Sequence, residues 1–177
     1  MPVFSEFDEG SSIGDILFSN IERFGPLLKL AENIMRSDGP IPVPDRELIA
    51  AYVSGLNACK FCQGVHKVTA QQFGVPIDLL GDVLAERDNA DIDRKQRALL
   101  NFARKLTLEP SKVTEQDRAL VVDAGNDPDA LKDLIAIVSL FSFFNRLVDG
   151  HGIEGGPIVF DRDAGMLRTY GYMAPAQ

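Results

Sequence analysis

The stretch Glu47-Leu48-Ile49-Ala50-Ala51-Tyr52-Val53-Ser54-Gly55-Leu56-Asn57-Ala58-Cys59-Lys60-Phe61-Cys62-Gln63-Gly64-Val65-His66 holds both cysteines of the chain and one of its two histidines. Apolar Leu48, Ile49, Ala51, Tyr52 and Leu56 recur at helical spacing, and the pattern weakens at Ser54-Gly55. Asn57 suits the N-cap of a second helix, from about Ala58 to Phe73, which Gly74 stops. The stretch thus reads as two helices joined by a short break.

Two cysteines placed at random would fall three apart only about one time in ninety, so the pairing is not accidental. On a helix, Cys62 lies about 60° and His66 about 20° round from Cys59, which puts all three on one narrow face. A dithiol at this spacing can cycle to a disulfide, and a nearby imidazole can take the thiol proton. With Asn57 as the cap, Cys59 falls in the first turn, where free backbone N–H groups favour a thiolate. Cys62 and His66 are one turn apart, within reach of a hydrogen bond directly or through one water. Glu47 cannot reach the cysteines along one continuous helix, because twelve residues span roughly 18 Å. A break at residues 54–57 folds the helices back as a hairpin and brings Glu47 opposite His66, where it orients the ring. The candidate catalytic set is Cys62, Cys59, His66 and Glu47, with a relay from Cys62 through His66 to Glu47. The same four side chains are legitimate zinc ligands, but no second ligand pair accompanies them.

Helical signals extend on both sides. Pro26 is placed for a first helical turn, followed by Leu27, Leu28, Leu30, Ala31, Ile34 and Met35 up to the break at residues 37–40. The run Pro40 to Pro44 predicts an extended connector. Further helices are expected over 77–86, 92–106, 114–124 from a Thr114 cap, and 129–148. The last has apolar residues nearly all round and should be buried on most sides. Nothing reads as a strand, so the expectation is an all-α single domain over residues 1–177.

A chain of 177 residues with net charge −8 and no basic cluster makes nucleic acid and anionic membrane poor partners, so neither is expected. The N-terminus lacks a basic and apolar leader pattern, and the longest apolar stretch, Leu134 to Phe144, is too short to span a bilayer. A cytoplasmic protein is expected, and in a reducing cytosol a lone Cys-x-x-Cys is catalytic or metal-binding before it is a staple. His151 is expected to serve a helix C-terminus, Asn145 and Arg146 to buttress a pocket or an oligomer contact, and Phe141, Phe143 and Phe144 to be core or interface. The glycine-rich segment from Gly150 to Gly156 lacks phosphate-loop spacing and reads as a turn.

The stretch from Glu47 to His66 resembles the core motif of the alkylhydroperoxidase D-like proteins of the carboxymuconolactone decarboxylase superfamily. Phe143-Phe144-Asn145-Arg146-Leu147-Val148-Asp149-Gly150 resembles the Asn-Arg segment of their peroxidase-related branch, and the likeness extends over about residues 20–155. The resemblance implies a helical AhpD-like fold and a homo-oligomer built from dimers into trimers or hexamers. It also implies reduction of small hydroperoxides, with Cys62 as the peroxidatic thiolate, Cys59 as the resolving thiol, and His66 and Glu47 as proton relay. No cofactor is implied; an external dithiol or reductase restores the pair. One residue departs from the family pattern: Phe61 stands where these peroxidases often carry a second histidine. Two other functions fit the same scaffold, a non-redox decarboxylation that needs neither thiol and a non-enzymatic metal-binding or interaction oligomer.

Overall fold

The computed structural model describes Phe4, residues 6–86 and residues 90–173. Among these residues there is no strand, and the chain runs through nine α-helices. They are α1 (Ile13–Ser19), α2 (Ile21–Arg36), α3 (Val43–Leu56), α4 (Lys60–Gln72), α5 (Leu79–Leu84), α6 (Arg94–Leu108), α7 (Glu115–Asp123), α8 (Pro128–His151) and α9 (Pro157–Tyr170). A short 3₁₀ turn, Gly171–Met173, follows α9.

Local chemistry explains most of the helix ends. Ser12 with Asp15, Asp93 with Gln96, and Thr114 with Asp117 form capping boxes that start α1, α6 and α7. Asp127 caps α8, Pro128 takes its first position, and Gly152 ends it with φ +74. α2 begins earlier than Pro26 implies. Asn20 caps it by accepting from the Arg23 N–H, and Pro26 lies inside the helix. Neither α1 nor α9 was expected from the periodicity.

α3 is the central element: every residue from Arg46 to Ser54 is buried. It packs on α4, α8, α6 and α5, and the main core joins its Leu48, Ile49 and Val53 to Leu99, Leu134, Ile137 and Phe141. Its N-terminus is fixed by Arg46, whose guanidinium donates to the carbonyls of Ile41, Ile34 and Ser37. That network holds the extended connector between α2 and α3. α8 buries one side, including Leu134, Val138 and Phe141, while Ile135 and Phe143 stay exposed. The expected burial on most sides is thus not met, because no other described element covers that face.

A second, smaller apolar cluster surrounds the cysteines. It joins Cys59, Phe61, Cys62 and Val65 to Ile16, Val148, Ile153 and Val159. α9 lies directly on α4, and Gly64 permits the approach: a Cβ there would meet the Phe160 ring at 2.5 Å. Segments near both ends of the chain, through Ile16 and Val159, therefore help enclose the thiols.

Candidate active site

The predicted hairpin is present, with its turn built differently from expectation. Asn57 closes α3 rather than opening α4: its N–H donates to the Val53 carbonyl. Ala58 adopts a left-handed φ of +58, and Cys59 is the N-cap of α4. Reversing the chain so tightly requires one left-handed residue, a conformation that an alanine adopts only under strain. The Asn57 side chain is instead spent across the fold, donating to Asn145 Oδ1 at 2.9 Å.

This shift moves the cysteines by one role each. Cys59 precedes the helix, and Cys62 occupies its first turn, among the N–H groups that no carbonyl of α4 accepts. Both are free thiols, 0% and 2% exposed respectively. Cys62 is hydrogen-bonded to Cys59 and to the Asn145 side chain. The Cys59 contact and burial push the Cys62 thiol well above its ordinary range, against the pull of the Asn145 amide. Burial and the Cys59 contact thus favour the protonated thiol at Cys62, whereas the family resemblance implies a thiolate there.

Glu47 and His66 meet as the hairpin predicts. His66 Nδ1 lies 2.6 Å from Glu47 Oε2, and the carboxylate is 0% exposed. Arg36 Nη1 lies 2.6 Å from Oε1, so a guanidinium charge pairs with the second carboxylate oxygen. Burial alone would raise the Glu47 pKa, but His66 and then Arg36 more than offset it, and the carboxyl sits below its ordinary value. With Nδ1 held by a carboxylate, Nε2 remains as the atom that can exchange a proton. The edge of the ring contacts Phe141 at a centroid distance of 4.5 Å.

A cavity of about 630 Å³ adjoins these groups. Cys62, His66, Phe61, Val65 and Phe141 line it, along with exposed Asp15 and Arg162; Cys59 does not. One thiol of the pair can therefore meet a small molecule while the other stays behind it. Phe61 is buried against Phe160, edge to face.

Other side chains named from sequence fall as follows. Asn145 is 1% exposed and links Asn57 to Ser54 Oγ, so it buttresses the hairpin and touches Cys62. Arg146 is exposed and bonds the Ser142 carbonyl of its own helix. His151 ends α8, with Nδ1 at 2.7 Å from the Leu147 carbonyl, and packs against Phe4 and Phe7. Among the described residues no three of His, Cys, Asp and Glu converge as a metal site. Arg36 and Tyr172 complete the site without having been expected. Both come from elements far from the motif, and only the last-turn position of Arg36 hinted at its helix end.

An all-helical fold whose central hairpin carries a buried dithiol beside an acid–histidine pair defines a class of helical thiol proteins. Residues 25–105 match the carboxymuconolactone decarboxylase family. That match spans a little under half of the chain, which is similar in fold to AhpD-like proteins. Uncharacterized protein YdfG of Bacillus subtilis (strain 168) is 28% identical over 102 residues, 58% of this chain and 69% of that one. An uncharacterized peroxidase-related protein from Silicibacter sp. TM1040 superposes with a TM-score of 0.77 at 22% identity, over 84% of this chain and 78% of that one. An uncharacterized peroxidase-related protein from Ralstonia eutropha JMP134, described as an alkylhydroperoxidase AhpD core, gives 0.75 at 25% identity, over 82% and 76%.

Proposed function

We propose that this protein reduces small hydroperoxides through the Cys59/Cys62 dithiol. The observation that carries the reading is that Cys62 lines the cavity with His66, while Cys59 is hydrogen-bonded to it from behind. The Cys62 proton passes to His66 Nε2 as substrate arrives, and the Glu47 carboxylate stabilises the imidazolium. The sulfur takes the terminal oxygen of the peroxide, leaving a sulfenic acid on Cys62 and releasing an alcohol. The Cys59 thiol then condenses with the sulfenic acid, expelling water and forming the Cys59–Cys62 disulfide. An external dithiol or reductase supplies the two electrons and two protons that regenerate the pair. No bound cofactor enters this cycle.

A thiol cycle of this kind needs a reducing compartment, which makes the cytoplasm the proposed location. None of the described helices is long and apolar enough to cross a membrane. A homo-oligomer built from dimers, trimeric or hexameric, would cover the exposed apolar residues Ile135 and Phe143 of α8.

Intact-mass measurement before and after limiting hydroperoxide tests the cycle. A loss of two hydrogens, mapped to Cys59–Cys62, is the expected result. Cys62→Ser should consume no peroxide, and Cys59→Ser should stop after one turnover with a trapped sulfenic acid. Wild-type turnover in both variants, or activity that survives thiol alkylation, would favour the non-redox decarboxylase reading.

A further inference from the structure

The hydroxyl oxygen of Tyr172 is buried and has no hydrogen-bond partner among the described residues. Its ring lines the cavity that holds Cys62 and His66. The ring lies nearly parallel to the His66 imidazole, 14° apart with centroids at 6.4 Å, and the Arg36 guanidinium sits 5.2 Å from its centroid. The main chain is anchored as well: the Tyr172 N–H donates to Glu32 Oε2 at 2.7 Å, just after Gly171 turns the chain with φ +65. The ring and the backbone thus hold the residue in place, and the hydroxyl adds nothing to the fold. A buried hydroxyl without an acceptor is unfavourable, so one retained beside a cavity points to an acceptor that the cavity receives. Burial, then the charge of Glu47, push the phenol well above its ordinary pKa. It stays protonated and is a donor, not a base.

We propose that the Tyr172 hydroxyl donates a hydrogen bond to the leaving oxygen of the hydroperoxide, which makes it a catalytic residue of the reaction at Cys62. The inference rests on the thiol cycle proposed above. As the S–O bond forms and the O–O bond breaks, the electron pair moves to the alkyl-bearing oxygen. The proton that left Cys62 through His66 ends on that oxygen and gives the alcohol. Tyr172 stabilises the developing charge and keeps its own proton.

The test compares wild type with Tyr172→Phe, which preserves the ring and its contact with Arg36. Oxidation of the Cys59/Cys62 pair is followed by rapid quench and mass spectrometry, with tert-butyl hydroperoxide and with peracetic acid. The leaving group is a strongly basic alkoxide in the first and a weakly basic carboxylate in the second. The variant should melt at or above the wild-type temperature. It should slow oxidation by tert-butyl hydroperoxide at least about tenfold, and oxidation by peracetic acid by clearly less. Equal rates in the two proteins, or equal slowing with both oxidants, overturns the role of Tyr172 and leaves the thiol cycle standing. A wild-type protein that neither oxidant converts to the disulfide overturns the cycle and this inference together.

Discussion

The Arg36 guanidinium and the Glu47 carboxylate are paired at 2.6 Å across α2 and α3, with side-chain exposures of 13% and 0%. Removing one member of such a pair strands the other charge in a poorly solvated place. The pair also anchors the acid that orients His66, so stability and chemistry meet in a single carboxylate.

Glu47→Gln should therefore destabilise the protein by about 3 kcal/mol at neutral pH, read from urea unfolding. The pH dependence is specific. Since the folded-state pKa of Glu47 is lowered, its contribution is complete above the unfolded value, near 4.5, and is lost as pH falls through the lower folded value. Wild type should lose this increment on acidification, and the variant should not. Parallel acid sensitivity in both proteins would mean that Glu47 is not the carboxylate responsible.

Cys62 should be slow to alkylate at neutral pH. The Cys59 contact and burial push the Cys62 thiol well above its ordinary pKa, so little of it is ionised at neutral pH. The rate of reaction with iodoacetamide should climb nearly tenfold per pH unit from 7 to 9 without a plateau. A plateau near pH 7 would show a resting thiolate and overturn the assignment of a protonated site.

Asn145→Ala removes the amide that links Asn57 to Ser54 and pulls the Cys62 pKa down. A buried amide lost in this way costs about 1–3 kcal/mol. The alkylation of Cys62 should become slower still at any fixed pH below 9. A variant that loses stability but alkylates at the wild-type rate would restrict Asn145 to a packing role.

The spacing of Cys59, Cys62 and His66 made the dithiol legible in the sequence, and the weak pattern at Ser54-Gly55 made the hairpin legible. Those two readings allowed a Glu47–His66 contact, and the family resemblance singled out Glu47, otherwise an ordinary first-turn acid, as its carboxylate. The turn itself was not legible, because alanine at position 58 gives no sign of the left-handed backbone that moves the helix start from Asn57 to Cys59. Arg36 and Tyr172 were beyond reach for another reason. Each meets the site through tertiary packing, and no local periodicity records which helix end will lie beside which. α9 was missed because its apolar positions follow a glycine-rich turn and only two of its residues, Val159 and Ala164, are buried.

The contact between α4 and α9 offers the sharpest test of how the cavity is enclosed. At Gly64 an added Cβ would lie 2.5 Å from the Phe160 ring, and that ring is itself confined by Phe61 and by Gly155, whose own Cβ would fall 2.8 Å from it. The ring cannot yield toward either neighbour without displacing α9. Gly64→Ala should thus destabilise by about 1–3 kcal/mol, as overpacked positions do, and should speed alkylation of Cys62 by loosening the wall that covers it. Phe160→Ala relieves the clash but opens a void of its own. In the double variant the two effects should compensate, with a coupling energy of about 1 kcal/mol or more in a double-mutant cycle. Strict additivity of the two single variants would show that α9 already moves freely on α4, and that the cavity is not closed by this contact.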